Sequence, residues 1–590
     1  MKETLIQAIR SALNEIDISY QSFAVEHPAD MTHGDYSTNV ALVVGKQSGT
    51  NPREMAEKIK VALEKNLPAE IDRIEIAGPG FINFICKPEF FAEQLAKIIS
   101  EKENFGRAQT LKGKTIIMDY TDPNPFKQFH IGHLMSNAIG ESIARLLEWN
   151  GAKVIRTTYG GDVGLHVAKA LYGMQIQKEA FPHDGDALAD KTKYLGETYA
   201  YGSNQYEENP EAKAKIDELN IFIYKYMQGD KNALDEDLQV FYTKGKKWSI
   251  EHFEEIYKKL GTHFDHYIFE SEIFQKGQAT VRQQLAKGIF EESEGAIIFR
   301  GENFGLHTRV FVSSKGAPTY EAKEIGLAFK KEEIATEAKT TTDTSIVITA
   351  NEQTDYFKVV YKALEQFASV IASKTQHIEH GMMRFAEGKM SSRKGNIITG
   401  ESLILEIEEL VREKMAERDL PNESKEEIAT DVAVAAIKYS ILKQSPGRNI
   451  IFDREKALSF EGDSGPYLQY TAVRANAVLE KAKVMGLILE SSSAQTSAVE
   501  LPAGRQISTL EKHLYQFPEV IERANAEKAP QYLITYLTEL ASAFNSFYGN
   551  EQIVVENDSA TAYKLALTEA TKIVLQNGLN ILSIRTPEKM

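Results

Sequence analysis

Residues Thr115 to Asp119 (Thr-Ile-Ile-Met-Asp) form a short apolar run closed by polar residues, a length and composition that predict a buried parallel strand. After it, Ile131, Leu134, Ala138, Ile139, Ile143, Leu146 and Leu147 recur at helical spacing, and Asn150-Gly151 closes the helix. A second apolar run, Val154 to Tyr159, completes a β-α-β unit, and Ser345 to Thr349 repeats the buried-strand pattern far downstream. Between these, Ala296 to Phe299 and Arg309 to Val312 read as paired strands. Gly316 to Ile325 reads as a turn entering a helix on which Tyr320 and Glu324 share a face. A further helix follows Tyr356-Phe357 to about Ala372.

Upstream the pattern is different. A helix over Leu5 to Asn14, a turn-rich stretch from Thr32 to Asn39, and a helix from Pro52 to Leu63 precede two alternating runs, Ile74 to Ile76 and Ala77 to Ile85. The Gly78-Pro79-Gly80 turn between them predicts an antiparallel pair. Residues 1–110 are therefore expected to form a small α+β domain. Residues 111–400 are expected to form an α/β Rossmann-type domain, interrupted over about 170–265 by a charged, helical insertion with interspersed aromatics. From 401 to 590 the periodicity is helical throughout: Leu403 to Glu413, Glu426 to Leu442, Pro466 to Val484, and several segments after Ile507. Ser491 to Ala498 reads as a flexible connector inside that all-α region.

Composition narrows the setting. The 590 residues include 42% apolar and 26% charged side chains, ordinary for globular domains. Cys86 is the single cysteine, which excludes an intramolecular disulfide framework, makes a cysteine-based zinc site unexpected and suits a reducing compartment. The first residues lack a signal-type apolar core, and no apolar run approaches the ~20 residues needed to span a bilayer, so a cytoplasmic protein without membrane contact is expected. The formal net charge of −16 argues against a nonspecific nucleic-acid binder. A specific one needs only a local basic surface, which a global sum conceals.

The candidate chemistry begins at Pro123-Asn124-Pro125-Phe126-Lys127-Gln128-Phe129-His130-Ile131-Gly132-His133, at the junction of strand and helix. A helix N-terminus offers free N–H groups and partial positive charge to anions. Gly132 lets a base or phosphate approach the backbone, and the two imidazoles can donate to phosphate oxygens. By itself the histidine pair equally suits packed or surface histidines. A zinc site is disfavoured by the scarcity of ligands and by the i, i+3 spacing. Tyr159-Gly160-Gly161-Asp162-Val163-Gly164-Leu165-His166 puts three glycines at the end of a parallel strand, where backbones approach ligands. Downstream, Gly388-Lys389-Met390-Ser391-Ser392-Arg393-Lys394-Gly395-Asn396 combines cations and hydroxyls in a glycine-bounded loop, suited to a clamp over a triphosphate. The two stretches together point to ATP.

These residues also carry a resemblance. His130-Ile131-Gly132-His133 and Lys389-Met390-Ser391-Ser392-Arg393 look like the two signatures of class I aminoacyl-tRNA synthetases. Pro123-Asn124 with Lys127, Ala77 to Phe84, Tyr467-Leu468-Gln469-Tyr470 and the ending Pro587-Glu588-Lys589-Met590 are similar to arginyl-tRNA synthetase patterns, so the chain resembles that family from end to end. The resemblance implies that Asp119 and Asn124 lie around the arginine α-amino group, that Glu270, Tyr320 and Glu324 face the guanidinium, and that Gln353 lies near the amino acid. It implies ATP contacts from His130, Gly132, His133, Lys389, Met390 and Ser391, and catalytic roles for His130, His133, Lys127, Lys389, Arg393 and Lys394. It implies tRNA contacts from Phe81 and Asn83 in the first domain, and from Tyr467, Tyr470, Arg474 and Met590 in the helical, anticodon-binding one. Read without the resemblance, Phe81, Tyr320, Glu324, Tyr467 and Tyr470 are equally ordinary core or helix-face residues.

The implied reaction takes L-arginine, ATP with its Mg2+ and tRNA(Arg) to arginyl-tRNA(Arg) through arginyl-adenylate, with no protein-bound zinc and a monomeric enzyme. The first step is implied to require bound tRNA. Carboxylates suit a guanidinium because its planar fork pairs with them bidentately. Three positions depart from the family pattern: Glu324 stands where aspartate is usual, Tyr356 where histidine is frequent, and Ser392 where the phosphate-binding lysine stands. Lys127 is the candidate substitute for that lysine. The competing readings are another class I synthetase, disfavoured by the acidic pair Glu270 and Glu324 and by the lack of cysteines for zinc, and a tRNA-binding paralogue without catalysis.

Overall fold

Three of the apolar runs, Thr115 to Asp119, Val154 to Tyr159 and Ser345 to Thr349, pair with two further strands as one parallel sheet. The computed structural model describes residues 1–386, 398–416, 421–487, 501–502 and 504–590. These divide into two compact units: Met1–Gly106 with Thr471–Val520 and Tyr536–Asn577, and Arg107–Tyr470 with Ile521–Thr535 and Gly578–Met590.

In the first unit, a four-stranded antiparallel sheet is ordered Val25–Glu26, Tyr36–Thr38, Phe81–Cys86, Ile71–Ala77. The expected pair around Gly78-Pro79-Gly80 is present, with Ile76 opposite Ile82 and Ala77 opposite Phe81. Helices Lys2–Glu15, Val40–Ser48 and Pro52–Glu64 bury Leu5, Ile9, Leu13, Val40 and Ile59 against Tyr36 and Phe84. Tyr515 joins that core, its hydroxyl 3.2 Å from the Asp35 carbonyl, and Lys512 pairs with the Asp35 carboxylate at 3.0 Å.

The second unit holds the parallel sheet. Its elements run β1 (Thr115–Asp119), α1 (Ile131–Trp149), β2 (Lys153–Gly160), α2 (Leu165–Ile176), α3 (Leu188–Glu208), α4 (Pro210–Met227), α5 (Glu236–Leu260), β3 (His266–Phe269), α6 (Glu270–Leu285), a small antiparallel sheet, α7 (Tyr320–Glu337), β4 (Thr344–Ala350), α8 (Thr354–Glu365), α9 (Ser369–Lys374), β5 (Thr375–His380), α10 (Gly400–Met415) and α11 (Asn422–Leu442). Strand order is β5-β4-β1-β2-β3, with Asp119 paired to Thr157 on one side and to Val347 on the other. Every residue of β1 is buried, as a parallel strand covered on both faces requires. The chain leaves β1 toward β2 and β3, then returns to add β4 and β5 on the opposite edge. The crevice beyond the carboxyl ends of β1 and β4 is thus the switch point where such sheets bind ligands.

The insertion is helical, as expected. Helices α2 to α5 pack Val167, Leu171, Ile216, Ile223, Leu238 and Trp248 around Phe126, so its core grows from the signature segment itself. The helix expected to reach Ala372 breaks after Glu365, because Phe367 turns inward onto the core of the small sheet, its ring 6.3 Å from that of Phe290. The connector expected at Ser491 to Ala498 lies outside the described residues.

Residues 578–590 return to this second unit through bonds to its interior. The Arg145 Nη1 donates to the Asn580 carbonyl at 2.8 Å, and the fully buried Lys438 Nζ donates to the carbonyls of Leu260 and Ser583 at 2.5 and 2.8 Å. Gln469 Nε2 donates to the Arg585 carbonyl at 2.6 Å, and Arg585 Nη2 to the Lys258 carbonyl at 2.7 Å.

Candidate active site

The segment after β1 is held in an unusual conformation. Thr121, Asp122 and Phe126 have φ of 81°, 53° and 65°, a region costly for side chains with a Cβ and above all for a β-branched threonine. Bonds from the neighbouring elements hold it there. The Thr121 amide donates to Ser136 Oγ at 3.0 Å, Asn137 Nδ2 donates to Thr121 Oγ1 at 3.0 Å, and the Tyr159 amide donates to Asp122 Oδ1 at 2.8 Å.

The histidine pair opens α1 by capping it reciprocally. The His133 amide donates to His130 Nδ1 at 3.3 Å, the His130 amide donates to His133 Nδ1 at 3.1 Å, and the rings stack with centroids 3.3 Å apart. Because each Nδ1 accepts, each neutral ring carries its proton on Nε2. Burial and the neighbouring Lys127 cation lower both imidazoles below their ordinary range, His133 strongly so, with His130 adding to the effect on it. Two neutral N–H donors and a helix N-terminus therefore occupy the mouth of the switch point. Burial also lowers the Lys127 ammonium, which has no ion-pair partner within 4 Å among the described residues and lines a cleft with Gln128, Gly196, His252, Phe253 and Glu401.

The downstream signature, with Lys389, Met390, Ser391, Ser392, Arg393 and Lys394, lies outside the described residues, but the chain on either side of it is anchored. Before it, Met383–Phe385 pairs in parallel with Ile450–Phe452. After it, Thr399 bridges His130, and the Gly400 amide donates to the Phe129 carbonyl at 2.8 Å. The described chain thus resumes directly against the first signature.

On the other side of the crevice, Asn124 Oδ1 accepts from the Gly161 amide at 2.7 Å. A Cβ on Gly161 would stand 2.6 Å from Asn124 Oδ1 and 3.2 Å from Glu270 Oε1, so the missing side chain is what lets these groups converge. Glu270 begins α6 and is buried; its second oxygen accepts from Lys323 Nζ at 2.6 Å, and Lys323 also donates to the Tyr224 hydroxyl at 3.1 Å. Burial raises the Glu270 carboxyl, with Lys323 opposing. Glu324, buried on α7, is raised to about 7 by burial, with Lys331 opposing and Asp119 adding. Tyr159 presents a buried hydroxyl without a hydrogen-bond partner among the described residues, in the field of Glu270, Glu324 and Asp119.

Asp119 lies buried at the end of β1 and is fully engaged: Lys331 Nζ sits 2.7 Å from Oδ2, and Thr157 Oγ1 donates to Oδ1 at 2.9 Å. Tyr320, expected on the face of Glu324, is 67% exposed at the first position of α7, where no preceding turn covers it. Its carbonyl accepts from the Tyr356 hydroxyl at 3.0 Å, which gives the unusual Tyr356 a structural use. Gln353 is exposed in the single turn that leaves β4.

The six residues expected at tRNA outside the signatures fare differently. Phe81 is exposed, whereas Asn83 is buried, its Oδ1 accepting from Ser37 Oγ at 2.7 Å. Tyr467 and Tyr470 are half-buried; Phe460 sets its ring edge-on to Tyr470 at 6.0 Å and lines an apolar pocket with Met590, Val411, Met415, Ile428 and Leu458. Arg474 donates to Asn545 and lies over the Tyr548 ring at 5.0 Å.

Sequence reasoning missed Asp162, Tyr224, Lys323 and Lys331. Asp162, fully buried, accepts from Lys246, Tyr242 and both the amide and hydroxyl of Ser271, joining the glycine-rich strand end to α5 and α6. Its place inside the triple-glycine stretch was the available signal. For the two lysines no signal in the sequence was available, since a lysine on an amphipathic helix normally points to water.

The chain matches the family models described as "tRNA synthetases class I (R), catalytic domain" over residues 94–454, "Arginyl tRNA synthetase N terminal domain" over 3–86, and "DALR anticodon binding domain" over 468–590. It is 30% identical to an arginine–tRNA ligase of Treponema denticola over 601 aligned positions, covering 100% of both chains. It is 30% identical to that of Clostridium perfringens, covering 96% of each. Among solved structures, an arginyl-tRNA synthetase of Thermus thermophilus superposes with a TM-score of 0.78 at 24% identity, covering both chains entirely.

Proposed function

Because the chain belongs to the arginyl-tRNA synthetases and joins arginine to tRNA(Arg) at the expense of ATP, we propose that the crevice at the ends of β1, β2 and β4 is where arginyl-adenylate forms. The observation that carries this assignment is the convergence of Asn124, Glu270 and Gly161 beside the reciprocal His130–His133 cap. Glu270 and Glu324 receive the guanidinium, whose planar fork pairs with carboxylates in a way a single ammonium does not. Asn124 and Asp119 lie toward the α-amino end, with Gln353 beside the amino acid and Tyr320 covering it. ATP, carrying Mg2+, lays its phosphates on the Nε2–H donors of His130 and His133, with its adenine against Gly132.

In the first step, a carboxylate oxygen of arginine attacks the α-phosphorus, the bond to the bridging oxygen breaks, and pyrophosphate leaves. Negative charge builds on the departing oxygens, and cations stabilise it: Lys127, with Lys389, Arg393 and Lys394 of the downstream signature. In the second step, the 2′-hydroxyl of the terminal tRNA adenosine attacks the arginyl carbonyl and AMP leaves. Positioning and charge supply the acceleration, with no covalent intermediate on the protein. The helical region from about 401 onward reads the anticodon through Tyr467, Tyr470, Arg474 and Met590, and the first domain, through Phe81, meets another part of the tRNA. The enzyme works as a cytoplasmic monomer.

ATP–pyrophosphate exchange across the amino acids, with and without tRNA, tests the reading. Exchange is expected with arginine alone and only when tRNA is present; exchange driven by another amino acid would overturn it. Lys127→Ala is expected to depress exchange far more than Ser392→Ala, and equal effects would remove Lys127 from its role.

A further inference from the structure

Glu270 does not face the crevice as a free carboxylate. One oxygen, Oε2, accepts from Lys323 Nζ at 2.6 Å, in a pair where Glu270 is 4% and Lys323 5% exposed. The other, Oε1, borders the space left by the missing side chain of Gly161. Lys323 is fixed from three directions. Its ammonium donates to the Tyr224 hydroxyl at 3.1 Å and lies 5.1 and 5.7 Å from the rings of Tyr320 and Tyr224. The helices bearing the two partners touch backbone to backbone, since a Cβ on Gly277 would stand 1.9 Å from the Ala322 carbonyl oxygen and one on Gly326 2.4 Å from that of Ile273. Tyr224 belongs to α4 of the insertion, so the insertion reaches Lys323 through this hydroxyl.

We infer that Lys323 is a positioning residue for arginine recognition, which holds Glu270 by one oxygen so that the other is presented to the guanidinium, with Tyr224 fixing the lysine in turn. The inference rests on the assignment of Glu270 to the guanidinium. Two physical consequences follow. A carboxylate held by one oxygen loses its rotamer freedom before substrate arrives, so less is lost on binding. An ammonium already seated on Oε2 also repels a second compact ammonium, so a lysine substrate meets like charge. A guanidinium spreads its charge over a fork, serves Oε1 with one edge and leaves another for Glu324. Burial alone would lower the Lys323 ammonium, but Glu270 and Tyr224 outweigh it, so the lysine remains charged for this task.

The test measures kcat and KM for arginine between pH 6 and 9 in tRNA arginylation by the full chain, for Lys323→Met, Lys323→Arg, Tyr224→Phe and Glu270→Gln, with thermal melting alongside. Lys323→Met is expected to raise KM for arginine about tenfold or more while leaving KM for ATP unchanged, and to move the acid limb of kcat/KM toward neutral pH as Glu270 loses its cation. Lys323→Arg, which keeps a cation, is expected to keep the acid limb in place. Tyr224→Phe shifts KM in the same direction by less, and decides the matter if Lys323→Met does not fold. A fall in KM for Lys323→Met would make the lysine a stopper that substrate must displace and would overturn the inference. So would an unchanged KM and pH profile, whatever the melting temperature. If Glu270→Gln leaves KM for arginine unaltered, the guanidinium assignment falls and the inference with it. If Glu270→Gln raises KM and Lys323→Met does not, the inference alone fails.

Discussion

Burial raises the Glu324 carboxyl to about 7, whereas a guanidinium is charged at every accessible pH. With Glu324 assigned to the guanidinium as proposed, arginine binds the ionised form, and binding expels a proton wherever the pH lies below about 7. Apparent affinity for arginine is expected to rise with pH up to about 7 and level off above it. Calorimetry in two buffers of different ionisation heat should show the released proton below pH 7, and Glu324→Gln should abolish the difference; equal heats for the unaltered protein would sink the idea. The same raised carboxyl makes the empty protein less stable as pH climbs through that window, because the unfolded chain ionises first. At Gly161 the argument is steric. Gly161→Ala puts a Cβ 2.6 Å from Asn124 Oδ1, and activation of arginine should fall by about 100-fold with melting little changed. The residue types at the site were legible in the sequence, and the resemblance assigned them. Their partners were not. A sequence displays that Lys323 and Lys331 are cations, but on an amphipathic helix a lysine normally points to water, and only the three-dimensional structure reveals which ones are buried against carboxylates.

At the level of elements, the strands that are apolar runs were legible, since β1 matches its expected limits and β2 and β4 extend theirs by one residue at each end, whereas β3 and β5, short or rich in polar residues, were not read as strands. Helix ends were less legible. The break after Glu365 depends on where Phe367 finds a cavity, and the exposure of Tyr320 on its being the first helical residue. The histidine signature caps α1 and, on the proposed reading, also offers Nε2–H to phosphates, and a substitution can separate the two. His130→Asn retains a good cap, so helix stability should persist while ATP–pyrophosphate exchange is lost; retained exchange would show that capping is the histidine's whole role. The crossing of α6 and α7 at Gly277 and Gly326 fixes the distance between Glu270 and its lysine. Gly326→Ala forces a Cβ to 2.4 Å from the Ile273 carbonyl oxygen, and overpacking of that kind costs about 1–3 kcal/mol. Urea unfolding should show the loss, and KM for arginine should rise with it.

At the scale of the molecule, the sequence suggested boundaries from changes of periodicity, at about 110 and 400, and periodicity is a local property. The compact unit containing the sheet runs from Arg107 to Tyr470 and takes in residues 578–590, an association between distant parts of the chain that no local pattern encodes. Lys438 is its clearest fastening, a fully buried ammonium shared between the carbonyls of Leu260 and Ser583, with burial and Arg145 lowering it far below the ordinary lysine range. Lys438→Met leaves both carbonyls without that donor and should cost about 1–3 kcal/mol, measurable in thermal melts, together with faster proteolysis of the segment around residue 583.

That fastening also sets an order of events in the cell. Asn580, Ser583 and Arg585 are added to the chain after every other residue they touch. Arg145 and Lys438 keep open bonding positions until segments 435 and 145 positions further along the chain fold back onto them. Loops of that length close slowly, so the bonds that complete the unit form after its sheet has collapsed.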